Sequence, residues 1–390
     1  MSRREADWPQ LDDRERALVE RARAFAADQV APNAAQWEAR REVPLGTLRA
    51  AAEAGLAGLL VPASLGGQGM SHSGAARVFE ELAAADMAFA FSLVVHNNLA
   101  ANIARNGGEA LIARHLPGML SAERIGAFCL TEPGAGSDAA AITTRASRDG
   151  EGWRLDGEKA WVTNGAVAEV LSVYAQTEAE AGATGIACLI VEGDAEGLTR
   201  EPAYGLMGGH AMGTTGLKLA ACRVAQADLL LPPGRAFKAA MLGINLARAL
   251  VGAMCCGMLR ASLETALDYA GARRAFGRPT TDFQGLSFML ADVATELEAS
   301  RLLSYRATAL LDRGESAMVE AAHAKKFATR AALKGISDCM QAMGAAGYRS
   351  DQPLGRHLAC AKMAQFLDGT TEIQNVVIGR ALIGGRGEGG

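Results

Sequence analysis

Trp153-Arg154-Leu155-Asp156-Gly157-Glu158-Lys159-Ala160-Trp161 lies in the middle of a chain whose two flanks read as helix. An Asp-Gly pair inside an apolar, aromatic-ended run is a β-hairpin signal, because a type I′ turn needs the positive φ that Gly takes freely. Short strand candidates follow at 170–175, 185–191 and 217–222, separated by turn residues. No long helix alternates with these strands, and no G-x-G-x-x-G follows one, which argues against a Rossmann sheet. Residues 125–233 therefore read as a small antiparallel barrel or sandwich.

Outward from this block the periodicity changes. Residues 11–124 read as helices: 12–38 is rich in Ala, Arg and Glu, with Leu18, Phe25 and Val30 as an inner stripe. Pro44 and Gly55 break the next helix, and Pro62-Ala63-Ser64-Leu65-Gly66-Gly67-Gln68-Gly69 is a turn-dense loop. A helix over 73–85 and an apolar segment over 89–99, closing on His96-Asn97-Asn98, complete this part. Helices return near Ala236. Phe283, Leu286, Leu290, Val293 and Leu297 step by three and four, which predicts one continuous buried stripe. Further helices are predicted over 316–345 and from Glu372. The fold class is α+β, mainly α: an N-terminal helical domain (1–124), a central antiparallel β-barrel domain (125–233) and a C-terminal helical bundle (234–390) ending in a frayed Gly-rich tail.

Composition narrows the functional classes. The chain has 390 residues, 49% hydrophobic, enough to bury a sizeable core. A net charge of −4 with both signs interspersed leaves no nucleic-acid footprint. Met1-Ser2-Arg3-Arg4-Glu5 leads into a charged helix rather than a signal-peptide core, and apolar runs such as 93–95 and 187–191 are too short to span a bilayer. Cys129, Cys188, Cys222, Cys255, Cys256, Cys339 and Cys360 have neither zinc nor disulfide-framework spacing. The expectation is a soluble cytoplasmic protein with no metal and no nucleic-acid or membrane partner.

Chemistry concentrates in three places. Phe366-Leu367-Asp368-Gly369-Thr370-Thr371-Glu372 brings one carboxylate up to a helix start, where Thr370 or Thr371 suits the N-cap. An Asp beside free backbone N–H groups, walled by Leu and Phe, suits a base that removes a carbon-bound proton; it also reads as an ordinary turn followed by a cap. Phe128-Cys129-Leu130-Thr131-Glu132-Pro133-Gly134-Ala135-Gly136-Ser137-Asp138 offers hydrogen bonds to a flat or phosphorylated ligand, or is a Pro-Gly turn. Trp161-Val162-Thr163-Asn164-Gly165 makes a stacking wall with a hydrogen-bonding tip, or part of a core. His96-Asn97-Asn98 either satisfies its own helix and backbone surroundings or touches substrate.

Taken together, the chain resembles the acyl-CoA dehydrogenase family over nearly its whole length. Its anchors are Leu130–Asp138, Trp161–Gly165, Arg273-Arg274-Ala275-Phe276-Gly277-Arg278-Pro279, Phe283-Gln284, Gln341-Ala342-Met343-Gly344 and Asp368–Gln374. The resemblance implies an N-terminal helical domain, a β domain and a C-terminal four-helix bundle, assembled as a homotetramer around FAD. It implies that Phe128, Leu130 and Thr131 line the flavin edge, and that Ser137 reaches FAD or the pantetheine of the substrate. It places Trp161 on the isoalloxazine and the Thr163 hydroxyl on N5. Arg273 and Phe276 would grip the FAD of a neighbouring subunit, Gln284, Gln341 and Thr370 would contact the cofactor, and the Gly369 N–H would polarise a thioester carbonyl. Asp368 falls at the catalytic base, with Asn245 and Arg248 on the substrate side.

The implied reaction is α,β-dehydrogenation of a short or branched acyl-CoA or carrier-bound thioester, with an electron-transferring flavoprotein as partner. The segment His96-Asn97-Asn98-Leu99 resembles that of short- and branched-chain members. The chain departs from the family at the base, which is usually Glu, and the alternative base position is Ala247. Asn245 replaces a common Asp, and Asn375 a common Arg. Nitroalkane oxidases share the fold and place Asp at the base, with an Arg seven residues later where this chain has Asn375. A flavoprotein kept for assembly or binding is the remaining alternative.

Overall fold

In the computed structural model residues 10–384 are described; the Met1–Glu5 start and the glycine tail beyond Gly384 lie outside them. The chain opens with α1 (Asp13–Phe25) and α2 (Ala31–Arg40), joined through one π-helical turn (Ala26–Val30). Asp12 starts this rod with a capping box, its carboxylate accepting the Glu15 N–H at 2.8 Å. Pro44 and Gly55 bracket α3 (Leu45–Glu53), and α4 (His72–Ala85), α5 (Met87–Asn106) and α6 (Glu109–Leu120) follow. The start of α4 is capped from within by Ser71 and from outside by Asp312, whose carboxylate accepts the His72 N–H at 2.6 Å and the Ser73 N–H at 3.2 Å.

The β region holds β1 (Gly126–Cys129), β2 (Arg145–Asp149), β3 (Gly152–Val162), β4 (Val170–Gln176), β5 (Ile186–Glu192), β6 (Leu198–Arg200), β7 (Thr215–Val224) and β8 (Leu229–Leu231). Their order is β6-β7-β3-β2-β4-β5-β8, with β1 beside β4. Two expectations fail here. The sheet is not a closed antiparallel barrel: it stays open between β6 and β8, and β1 and β2 both pair parallel to β4. Nor is Asp156-Gly157 a hairpin turn, since β3 runs straight through it. The register against β7 shifts between Leu155 and Gly157, so the pair forms a bulge. Gly157 is needed because a Cβ there would stand 2.7 Å from the Thr144 Cα, and the Asp156 carboxylate accepts the Ala221 N–H at 2.7 Å. The hairpin uses the earlier Asp149-Gly150 pair, with Gly150 at φ 59 and Asp149 facing Gly152.

The C-terminal bundle consists of α7 (Ala236–Ala272), α8 (Gln284–Asp312), α9 (Met318–Met343), α10 (Leu354–Ala364) and α11 (Thr371–Gly384). Helices α7, α8 and α9 pack on one another, and α10 and α11 lie on α9. The stripe of α8 is buried at Leu290, Val293 and Leu297 but half-buried at Leu286 and Phe283, so it fades toward the helix start. Helices α5 and α7 are long and apolar enough to cross a membrane, yet they are mostly buried inside the protein. A helix that is apolar all round belongs in such a core. One hydrophobic cluster joins α4 and α5 to α7–α10; a second joins α5 and α6 to the β1, β4 and β5 face and the start of α7. The base loop and the β region thus share α5 and α7 as their common backing.

Candidate active site

The turn between α10 and α11 begins at the Met363 carbonyl, which accepts the Phe366 N–H at 2.8 Å. It ends on two successive left-handed residues, Asp368 at φ 49 and Gly369 at φ 93. Asp tolerates this region better than most residues with a Cβ. Gly369 is constrained further: a Cβ would lie 3.1 Å from both Arg248 Nη2 and Gln374 Nε2. Of the two threonines, Thr370 is the cap, its hydroxyl accepting the Ile373 N–H at 3.4 Å. Leu367 is half-buried beside the carboxylate, whereas Phe366 is 57% exposed and does not wall it.

Three side chains fix this turn through its backbone. Arg248 on α7 donates through Nε to the Asp368 carbonyl at 2.9 Å, and through Nη1 to Asn245 Oδ1 at 3.1 Å. Buried Lys325 on α9 donates through Nζ to the Gly369 carbonyl at 2.8 Å. Gln374 Nε2 donates to the same carbonyl at 2.9 Å. In a planar trans peptide the carbonyl of Asp368 and the N–H of Gly369 point opposite ways. Arg248 therefore directs that N–H away from itself, and among the described residues it donates to nothing.

The Asp368 carboxylate is left for chemistry. Asp368 as a residue is half-buried, but its Oδ2 is closed off from solvent and has no hydrogen-bond partner. Burial pushes the carboxyl up to about 6, against the opposing pull of Lys325 and Arg248. Burial likewise takes Lys325 down to about 8, although the charges of Asp368 and Glu372 favour its ammonium.

The second and third motifs are brought together by β3. Ala160 N–H donates to the Thr131 carbonyl at 2.9 Å, and Lys159 Nζ to the Leu130 carbonyl at 3.1 Å. Lys159 also meets Glu132 at 2.8 Å, while Glu132 accepts the N–H groups of Thr143 at 2.7 Å and Thr144 at 2.9 Å. Burial alone would raise the Glu132 carboxyl; Lys159 and these donors outweigh it and hold it at about 2. Ser137 is exposed on the same loop, and Phe128 packs on Tyr174 with ring centroids 5.0 Å apart.

Trp161 sits at φ 58, packed edge-on to Tyr204 at 4.8 Å, with 62% of its surface open. Buried Thr163 follows, and Asn164 (φ 64) ties this strand end to α5 and β1. Its amide donates to the Ser92 carbonyl at 3.0 Å and the Gly126 carbonyl at 2.9 Å, and its Oδ1 accepts from Ser92 Oγ at 2.6 Å. Asn164 N–H donates to the Met212 carbonyl at 2.7 Å, and a Cβ on Gly209 of that loop would lie 3.1 Å from Met363 Sδ. The 209–212 loop thus connects the Trp161 wall to the start of the base turn.

Of the two readings of His96-Asn97-Asn98, the structural one holds for the first two residues. His96 and Asn97 are braces: His96 Nε2 lies 2.8 Å from the Met119 carbonyl, and Nδ1 accepts the Gly126 N–H at 3.0 Å. Asn97 accepts the Leu59 N–H at 2.7 Å and donates to Leu56 and Leu93 carbonyls at 2.9 Å. Arg248 links the base turn to Asn245, bonding the Asp368 carbonyl on one side and Asn245 Oδ1 on the other.

Arg273, Phe276, Gln284 and Gln341 are exposed, Phe276 at 96%. Arg273 follows the last residue of α7, about 37 Å along the helix from Arg248. They do not join the Asp368 site within one chain. Lys325, Glu132, Lys159, Gln374 and Asn164 were not singled out from sequence. For Lys325 the signal was there, since it keeps the spacing of buried Ala321, Ala328 and Ala332 on α9.

The open indole face of Trp161, with Thr163 two residues on and exposed Gly134, Gly136 and Ser137 on the loop that Ala160 of β3 ties down at Thr131, fits a planar ring with a polar edge and a phosphorylated tail. The comparisons with known proteins agree. The acyl-CoA dehydrogenase N-terminal domain matches residues 12–123, the middle domain 127–222 and the C-terminal domain 234–383. The chain is 36% identical to the mitochondrial isobutyryl-CoA dehydrogenase of Dictyostelium discoideum, over 92% of this chain and 86% of that protein. Among solved structures it is similar to butyryl-CoA dehydrogenase from Megasphaera elsdenii (TM-score 0.92, 31% identity, 96% of this chain and 99% of that one). It is also similar to a glutaryl-CoA dehydrogenase from Mycobacterium smegmatis in complex with FADH2 (TM-score 0.91, 29% identity, 96% and 95%). The chain belongs to the acyl-CoA dehydrogenase family and is an FAD-dependent oxidoreductase of acyl-CoA thioesters.

Proposed function

We propose that this enzyme carries out α,β-dehydrogenation of a short or branched acyl-CoA, with Asp368 as the base. The observation that carries this is the pairing of a buried, unpartnered Asp368 Oδ2 with the undonated N–H of the next residue, Gly369. The N–H faces the thioester carbonyl, where it stabilises the charge that develops as the α-proton leaves. The proton goes to Asp368 Oδ2, and the carbon–hydrogen electron pair becomes the new double bond. FAD, when bound, accepts the β-hydride. Trp161, Thr163, Phe128, Leu130, Thr131 and Ser137 would hold the flavin; Thr370, Gln284, Gln341, Arg273 and Phe276 are the further cofactor contacts.

Support for a short or branched acyl group comes from the similarity to the isobutyryl- and butyryl-CoA dehydrogenases, since His96 and Asn97 have structural roles. The separation of Arg273 from the Asp368 site supports an assembly in which a second copy completes each flavin site, with a homotetramer as the proposed state. The proposed electron acceptor is an electron-transferring flavoprotein, and the proposed domain divisions fall at 124/125 and 233/234.

Anaerobic titration of the yellow protein with a panel of acyl-CoAs and carrier-bound thioesters tests the reading. Short or branched acyl-CoAs should bleach the flavin fastest. The Asp at the base also suits a nitroalkane, and bleaching by nitroethane with no response to any thioester would install that reaction instead.

A further inference from the structure

The ammonium of Lys325 is a buried charge that the reaction as described does not use, and it has no carboxylate within ion-pair distance among the described residues. It is 1% exposed and comes from α9, a different helix from the Arg248 that holds the preceding carbonyl. Its hydrogens go to the base turn: the Gly369 carbonyl at 2.8 Å and the Gln365 carbonyl at 3.4 Å. These two acceptors flank Asp368, so a single cation closes the turn beneath the carboxylate. A buried ammonium has a high desolvation cost, which an apolar side chain at this alanine-lined position would avoid.

We propose that Lys325 is the positioning residue of the base: it locks the left-handed turn that presents Asp368 and supplies the positive charge that keeps this buried carboxylate ionised near neutral pH. This deepens, and rests on, the reading of Asp368 as the base. The charged and titratable groups facing the pair are Arg248 and Cys255 on α7 and Glu372 on α11. Burial raises the Cys255 thiol to about 12, so it stays neutral at working pH. Arg248 opposes ionisation of Lys325 but favours that of Asp368; Glu372 is exposed and screened by solvent. With Lys325 neutralised, Arg248 would be the one remaining cation of this group acting on the carboxylate, and the proton affinity of Asp368 rises.

The test uses the FAD-loaded protein with Lys325→Gln and Lys325→Met, beside Lys325→Arg and Asp368→Asn. Two readouts are taken against pH: the rate of flavin reduction by acyl-CoA, and the protonated-carboxyl infrared band that Asp368→Asn removes. The neutral variants should shift both midpoints upward by about one unit or more, as loss of a nearby opposite charge does. For a one-unit shift the reduction rate should fall about tenfold well below pH 6 and about twofold at pH 7, with KM within about threefold of the parent. Lys325→Arg should restore the midpoints. Neutral variants with parental midpoints overturn the proposal, whatever their rates. So does loss of FAD or of the folded protein in both neutral variants with Lys325→Arg unaffected, which would make Lys325 a structural residue alone. If Asp368→Asn reduces the flavin at the parental rate, it is the base assignment itself that fails, and the two failures remain distinct.

Discussion

Arg248 Nε and the main-chain oxygen of Asp368 stand 2.9 Å apart, so the arginine holds the proposed base by its backbone and leaves its carboxylate unpaired. A direct ion pair would hold the carboxylate ionised but tie up its lone pairs; a backbone clamp fixes position while leaving the oxygen available to a proton.

Arg248→Lys keeps the charge and loses the fixed geometry of the guanidinium. FAD should stay bound, while flavin reduction falls by about 100-fold, the cost of a misplacement of roughly 1 Å. Stopped-flow reduction at saturating acyl-CoA measures this.

The pH profile follows from the raised Asp368 carboxyl at about 6. Reduction needs the ionised base, so the rate should climb tenfold per pH unit below that value and level off above it. The sign for stability is the reverse. A carboxyl whose folded value lies above its unfolded 3.8 contributes fully below 3.8, and that contribution is lost as pH rises to about 6. Asp368 therefore destabilises the folded chain at pH 7, on the order of 3 kcal/mol. Asp368→Asn should raise the thermal midpoint at pH 7 and lose most of that advantage near pH 4.

Glu132→Gln leaves Lys159 buried without its counter-charge, a change that costs about 3–5 kcal/mol. The Thr131–Ser137 loop should loosen, so FAD retention on gel filtration should drop along with the melting temperature. Because Glu132 is held at about 2, well below its usual 4.5, the parent keeps this stabilisation above pH 4.5 and loses it as pH falls toward 2.

Asn164→Ala removes the amide that joins Ser92, Gly126 and the Trp161 strand end, and puts a residue that disfavours φ 64 in its place. A loss of about 2–4 kcal/mol is expected from the unpaired buried groups and backbone strain, read by denaturant unfolding of the holoprotein.

The helix–β–helix order and the capped turn before α11 were legible because each is written in local pattern; the proposed roles of Asp368 and Trp161 came from the resemblance instead. The Asp156-Gly157 hairpin was misread because two Asp-Gly pairs sit seven residues apart; the close approach of Thr144 to Gly157, which decides between them, is a tertiary fact. Sequence left His96 and Asn97 between a structural role and a substrate contact, because their partners in the 56–59 segment, α6 and β1 are apparent only once the chain folds. Lys325 escaped notice for the opposite reason, since a lysine in an alanine-rich helix reads as solvated surface. Its target, the Gly369 carbonyl, is 44 residues away.

The central claim is that Asp368 takes the α-proton, and the most direct measurement is flavin reduction in Asp368→Asn by the best acyl-CoA of the panel, with bound FAD and thermal midpoint recorded alongside. The amide keeps the shape of the side chain, so FAD should remain bound and stability should rise while reduction falls by roughly 1000-fold, within the range a general base contributes. Reduction at the parental rate in that variant would place the base elsewhere and contradict the account.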